Sequence, residues 1–231
     1  MLFSEETEVF NAGFPGDNSR QLLERFDKDV AALSPDCVIL MCGTNDLLNS
    51  HNLVPQEEYR KNLAELAAKI RSTGAKLLLC GTPDACESLM IPRHKNGFFA
   101  ERSAAQRVAD ANKISGELAA KENIPYIDVC TLLGKPLSSG KTLFRNVENS
   151  GAPDGVHPTP AGYAVLAAAV FAELCKFSPL PRRIVCFGDS ITYGVYVKGE
   201  GSAEAEAETY PGQLAKLLRK GYCPKFCEKH L

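Results

Sequence analysis

Along this chain, short unbroken apolar runs alternate with longer stretches in which apolar residues recur at helical spacing. Glu8-Val9-Phe10, Cys37 to Cys42, Lys76 to Cys80, Pro125 to Val129 and Ile184 to Phe187 have strand length, and most are closed by glycine or small polar residues. Cys37 to Cys42 has no polar alternation, as a strand covered on both faces requires. Between the runs, Leu22, Leu23, Phe26, Val30 and Leu33 form one stripe, which Asp17 or Ser19 can cap, and Tyr59, Leu63, Leu66, Ala67 and Ile70 form another across Pro55 to Ser72. Ala105, Val108, Ala109, Ile114 and Leu118 mark a helix within Ala100 to Lys121. Thr159-Pro160 opens a further helix, with Tyr163, Leu166, Ala167, Val170, Phe171 and Leu174 on its apolar face, and Tyr210 to Leu218 forms the last. Strands and helices in strict alternation predict a single three-layer α/β/α sandwich.

Three stretches break the pattern. Gly81 to Phe99, with Pro83, Pro92 and Gly97, reads as a long loop leaving the sheet edge, and its Leu89, Met90, Ile91, Phe98 and Phe99 are candidates to line a pocket. Thr131 to Pro153 is polar, and Gly194 to Glu208 mixes glycines with alternating alanine and glutamate, so both read as loops.

Composition narrows the class. At 231 residues the chain can bury a sheet with helices on both faces. Its 26 Lys and Arg against 28 Asp and Glu, with no strong basic patch, argue against nucleic acid as a partner. The acidic start, Met1-Leu2-Phe3-Ser4-Glu5-Glu6, does not fit a secretory leader, and the most apolar stretch, Ala161 to Cys175, is interrupted by Glu173 and too short to span a bilayer. A soluble cytoplasmic protein without stable membrane insertion is expected. Nine cysteines, an odd number, include Cys37, Cys42, Cys80 and Cys186 in strand-like runs, where reduced thiols pack as small hydrophobes. Cys223 and Cys227 have only His230 nearby, which makes a poor zinc site, and no metal or cofactor is expected.

Candidate chemistry collects at the ends of the apolar runs. Gly188-Asp189-Ser190 breaks the run Ile184 to Phe187 and places a serine at the carboxyl end of a strand, where open α/β folds carry their sites. Asp154-Gly155-Val156-His157-Pro158 supplies an imidazole and a carboxylate three residues apart, just before a helix. A serine hydroxyl becomes a nucleophile only beside such a base, held by such an acid. Asn11-Ala12-Gly13-Phe14-Pro15-Gly16-Asp17 and Cys42-Gly43-Thr44-Asn45-Asp46 are two further turns at run ends.

These four blocks resemble those of the SGNH hydrolases, the GDSL-like esterases and lipases: serine block Gly188-Asp189-Ser190, glycine block Asn11 to Asp17, asparagine block Gly43 to Asp46 and histidine block Asp154 to His157. The resemblance covers nearly the whole chain and implies a flavodoxin-like parallel sheet of five strands. It implies Ser190 as nucleophile, His157 as base and Asp154 as its acid, with oxyanion donors from Ser190, Gly16 and Asn45. Gly13 is expected to serve the turn through a positive φ. Asp189, Asp17, Thr44 and Asp46 are assigned to caps and supporting hydrogen bonds. The implied reaction is hydrolysis of short acyl esters, with acetyl esters as candidates, on a small-molecule substrate. A thioesterase or lysophospholipase activity and a non-catalytic ligand-binding domain are the alternatives.

The block order departs from the family, whose members begin with the serine block. Residues 183–231 then supply, within one domain of residues 1–231, the strand and helix that usually come first, as in a circular permutation. A truncated second copy, or exchange of this segment within a homo-oligomer, would give the same order. With the topology that the resemblance implies, closure within one chain gives a sheet in which the strands lie in the order first, fifth, second, third, fourth.

Overall fold

The structure is a computed structural model and describes residues 7–135 and 142–219; Cys223, Cys227 and His230 lie outside the described residues. Five parallel strands form one sheet: β1 (Glu8–Gly13), β2 (Cys37–Met41), β3 (Lys76–Cys80), β4 (Tyr126–Ile127) and β5 (Arg183–Gly188), in the order β1-β5-β2-β3-β4. β5, the last strand among the described residues, therefore sits inside the sheet, between β1 and β2. Glu8 lies beside Arg183 and Gly13 beside Gly188 on one flank, and Cys37 beside Ile184 and Met41 beside Gly188 on the other.

The alternation of side chains along the strands divides the core in two. Val38, Leu40, Leu77, Leu79, Val185 and Phe187 face one layer, which contains α1 (Ser19–Asp29), α3 (Gln56–Ser72) and α6 (Ala104–Glu122). Cys37, Ile39, Met41, Leu78, Ile184 and Cys186 face the other, which contains α7 (Val129–Gly134), α9 (Pro160–Leu174) and α11 (Tyr210–Arg219). Both faces of β2 and β5 are thus covered, which is why their runs carry no polar alternation. The cysteines of these strands are buried and free, and burial pushes the Cys37 and Cys80 thiols up to about 12, so they act as packing groups.

Several boundaries differ from expectation. β1 continues through Asn11-Ala12-Gly13 because these residues pair with Cys186, Phe187 and Gly188. The cap of α1 is Asn18, whose side chain accepts the Arg20 and Gln21 N–H groups, since Asp17 is taken by Arg25 and the Ser19 hydroxyl accepts from Asn62. β4 stops at Ile127 because the Asp128 carboxylate caps α7 by accepting the Thr131 N–H at 3.0 Å. The expected long loop after β3 contains α4 (Glu87–Met90), a 3₁₀ turn at Ile91–Arg93 and α5 (Phe98–Glu101), and the polar stretch after α7 contains α8 (Val147–Ser150). Among the described residues no helix is long and apolar enough to cross a membrane.

Candidate active site

Ser190 opens α10 (Ser190–Tyr193) directly after β5, and Asp189 caps that turn by accepting the Ile191 N–H at 2.9 Å. The Asp154 turn arrives from the other side. Asp154 Oδ1 accepts the N–H groups of Val156 at 2.9 Å and His157 at 2.8 Å, and Oδ2 lies 2.9 Å from His157 Nδ1. Gly155 makes the turn possible: its φ is +77° and an added Cβ would come 2.9 Å from the Cys86 carbonyl oxygen. Because a carboxylate only accepts, Nδ1 carries the proton, and Nε2 is left as an acceptor 3.0 Å from Ser190 Oγ.

Burial by itself would raise the Asp154 carboxyl. The His157 imidazole and the two backbone N–H groups outweigh it and hold the acid down at about 2. At Asp189 the balance is reversed: burial outweighs the Ile191 N–H and the nearby His157, and pushes the carboxyl up to about 6. Asp46 is also raised by burial to about 6, although both its oxygens accept the Ser19 N–H, at 3.0 and 3.1 Å.

Gly16, Asn45, His157 and Ser190 line one cavity of about 380 Å³. Gly16 turns the chain with φ +87°, and Asn52 Nδ2 donates to its carbonyl at 2.7 Å. Asn45 stands in α2 (Thr44–Leu48), where its Nδ2 donates to the Asp17 carbonyl at 2.9 Å and its Oδ1 accepts from Asn49 at 3.0 Å. The amide therefore bridges to the glycine block across the site. Gly13 does not have the positive φ expected of it. It is needed for close approach, since a Cβ there would lie 2.2 Å from the Tyr193 backbone nitrogen.

Of the five loop residues expected to line a pocket, only Met90 lines this one. Phe99 is buried with Leu48, Ala104, Val108 and Val156. Phe98 lies under the Arg107 guanidinium with its ring 4.9 Å from that of Phe99, so the pair fills the gap between α2 and α6. Ile91 is 54% exposed, and Leu89 faces a neighbouring cavity. In their place the wall gains His51, Arg93, His94 and Tyr196. Tyr196 has φ +69°, unusual for a residue with a side chain, and its ring meets the His157 imidazole edge-on at 5.4 Å. Arg145 grips both partners. Its backbone N–H donates to the His157 carbonyl at 2.9 Å, while its guanidinium donates to the Tyr196 carbonyl at 3.0 Å and covers the Tyr196 ring. These residues lie in irregular segments, so no periodicity marks them in the sequence. Among the described residues no three His, Cys, Asp or Glu side chains are grouped to hold a metal ion.

A hydroxyl, an imidazole and a carboxylate in line over the carboxyl ends of a parallel sheet are the arrangement of the serine hydrolases. Residues 2–165 match the GDSL-like Lipase/Acylhydrolase family, and the chain belongs to that family. The matched stretch includes the glycine, asparagine and histidine blocks and ends before Ser190. The chain is 30% identical over 169 residues to the acetylxylan esterase of Geobacillus stearothermophilus, a match that covers 72% of this chain and 71% of that protein. Among solved structures it is similar to the lipase/acylhydrolase of Enterococcus faecalis, at 25% identity and a TM-score of 0.54 over 69% of this chain and 71% of that one. A GDSL-like lipase of Bacteroides thetaiotaomicron is similar at 25% identity and a TM-score of 0.52, over 68% and 71%.

Proposed function

We propose that the protein is a serine esterase that hydrolyses short-chain acyl esters, acetyl esters among them, through an acyl-enzyme. The observation that carries this reading is the 3.0 Å separation of His157 Nε2 from Ser190 Oγ, with Asp154 2.9 Å behind the ring. Ser190 attacks the ester carbonyl while His157 takes its proton. The imidazolium that forms is stabilised by the Asp154 carboxylate, and the backbone N–H groups of Ser190 and Gly16 with the Asn45 amide receive the oxyanion. One such donor contributes about 3 kcal/mol to the transition state. His157 then protonates the departing alcohol, and water, activated by the same imidazole, releases the acid and restores Ser190.

The acetyl preference draws on the acetylxylan esterase relative and on a cavity of about 380 Å³, near the lower end of small-molecule sites. In this reading residues 1–231 are one domain and the chain is a circular permutation of the family order, with residues 183–231 giving the strand and helix that relatives place first. Pairing of β5 with β1 and β2 of its own chain supports closure without subunit exchange. The free cysteines among the described residues suit a reducing compartment, which supports a cytoplasmic location in this reading.

Hydrolysis of acetyl, butyryl and longer p-nitrophenyl esters and of acyl thioesters tests the activity. The expected result is the highest kcat/KM on acetyl or butyryl esters and its loss in Ser190→Ala. A higher kcat/KM on long acyl chains or thioesters would overturn the short-ester reading, and equal rates in Ser190→Ala would overturn the mechanism.

A further inference from the structure

Arg93 ends the 3₁₀ turn Ile91–Arg93 and lines the same cavity as Ser190 and His157. Most other arginines are matched to carboxylates: Arg20 to Glu58, Arg25 to Asp17 and Asp29, Arg60 to Glu117, Arg71 to Glu122, Arg102 to Asp110, Arg183 to Glu8 and Arg219 to Glu204. Among the described residues Arg93 meets no carboxylate. Among the described residues its guanidinium makes one hydrogen bond, from Nη2 to the Asp154 carbonyl oxygen, and the side chain is otherwise exposed, which leaves the other N–H donors of the fork open to a ligand.

The rest of the wall does not neutralise it. Among the described residues no Asp or Glu lines the cavity, and the nearest acid in the chain of contacts, Asp154, is committed to His157 and two backbone N–H groups. His94 beside it accepts the Ser50 N–H on Nδ1 at 3.3 Å, and burial together with Arg93 lowers its pKa, which favours the neutral ring. Arg93 is thus, among the described residues, the one lining group with a permanent charge. A planar fork of donors fits carboxylate and phosphate oxygens in pairs, which a point charge does not.

We propose that Arg93 recognises an anionic group, a carboxylate or a phosphate, on the alcohol portion of the ester. The inference rests on the esterase reading and specifies its substrate class. The alcohol side is chosen because Arg93 is bonded to the turn that carries His157, the group that delivers the proton to the departing alcohol. Gly16 and Asn45, on the other blocks, are the groups assigned to the acyl oxygen.

The test compares phenyl acetate with para-acetoxybenzoate and para-acetoxyphenyl phosphate in wild type, Arg93→Lys, Arg93→Gln and Arg93→Glu. The quantity read is the ratio of charged to neutral kcat/KM within each protein, which cancels any general loss of activity. The wild type is expected to favour at least one anionic ester about 10-fold, the range of a charged hydrogen-bonded pair. Arg93→Lys should keep part of the preference, Arg93→Gln should bring the ratio near one, and Arg93→Glu should take it below one. A larger ratio for the carboxylate or for the phosphate identifies which anion the subsite takes. A ratio near one in wild type, or one unchanged in Arg93→Gln, overturns the proposal. Binding of the product para-hydroxybenzoate, followed by NMR, reads the subsite without turnover: about 10-fold weaker binding to Arg93→Gln is expected, and equal binding contradicts it. If that difference holds while wild type hydrolyses no ester, the esterase reading fails and the anion subsite stands.

Discussion

Two joints bring distant stretches of chain to the candidate site, and they are built from different materials. At the first, β5 is inserted between β1 and β2 by continuous backbone ladders, and Ile184, Val185, Cys186 and Phe187 are fully buried on its two faces. Asp36 anchors its start by accepting the N–H groups of Arg182 and Arg183, each at 2.9 Å. At the second, the Asp154 turn meets the Ser190 turn through a few side chains: the imidazole and hydroxyl, the Tyr196 ring against His157, and Arg145 holding both. The ladders decide which strand end carries Ser190. The side chains decide the last ångström between hydroxyl and imidazole. Damage to the first joint should therefore appear as loss of fold, and damage to the second as loss of rate in a folded protein.

The largest effect is expected from Val185→Asp, which puts an unpaired carboxylate into the apolar layer between β5 and the α1 and α3 helices. A cost of several kcal/mol, against a typical stability of about 5–15 kcal/mol, should abolish the cooperative thermal transition followed by circular dichroism. A folded variant of near wild-type Tm would show that β5 is dispensable, and the distinction between the joints would fall. At the second joint, Arg145→Ala should lower kcat roughly 10-fold with little change in KM or Tm, because misplacement of a catalytic group by a fraction of an ångström acts on the barrier. Arg145→Lys should recover only part of the rate. A rise in KM alone would reassign Arg145 to substrate binding.

The smallest effect concerns pH. Asp154 is held at about 2, below the ordinary carboxylate value, so its contribution is present above about pH 4 and is lost as pH falls towards 2. Asp46 and Asp189 are raised to about 6, so theirs is present below about pH 4 and lost as pH rises through 6. Opposed slopes that meet where both contributions are present predict a Tm maximum near pH 4, with stability falling between about pH 4 and 6. Asp189→Asn, which keeps an oxygen for the Ile191 N–H, should raise Tm at pH 8 and flatten the alkaline side. An unchanged profile would show that Asp189 does not set it.

Much of the first joint was legible in the sequence. β2, β3, α3 and α9 fall within a residue or so of their expected bounds because burial on both faces, or a full apolar stripe, leaves a pattern that few other structures produce. The position of β5 came from the resemblance, since no local pattern reports which strands are neighbours. Less of the second joint could be read. Ser190, His157, Asp154, Gly16 and Asn45 share the site region because they stand in recognisable blocks at strand ends, and their roles are those proposed above. Arg93, Arg145 and Tyr196 act through tertiary contacts from irregular segments, where neither spacing nor composition marks them. The apolar loop residues misled for the opposite reason: Phe98 and Phe99 look like a pocket wall in sequence but serve as packing between α2 and α6.

The proposed chemistry depends on one thing above all, that the serine after the inserted strand is the group that His157 activates. Incubation with a fluorophosphonate, followed by peptide mass spectrometry, reads it directly. A covalent adduct on Ser190 is expected in wild type, formed far more slowly in a folded His157→Ala variant. Ester hydrolysis by wild type with no adduct on Ser190, or labelling at the same rate without His157, would contradict it.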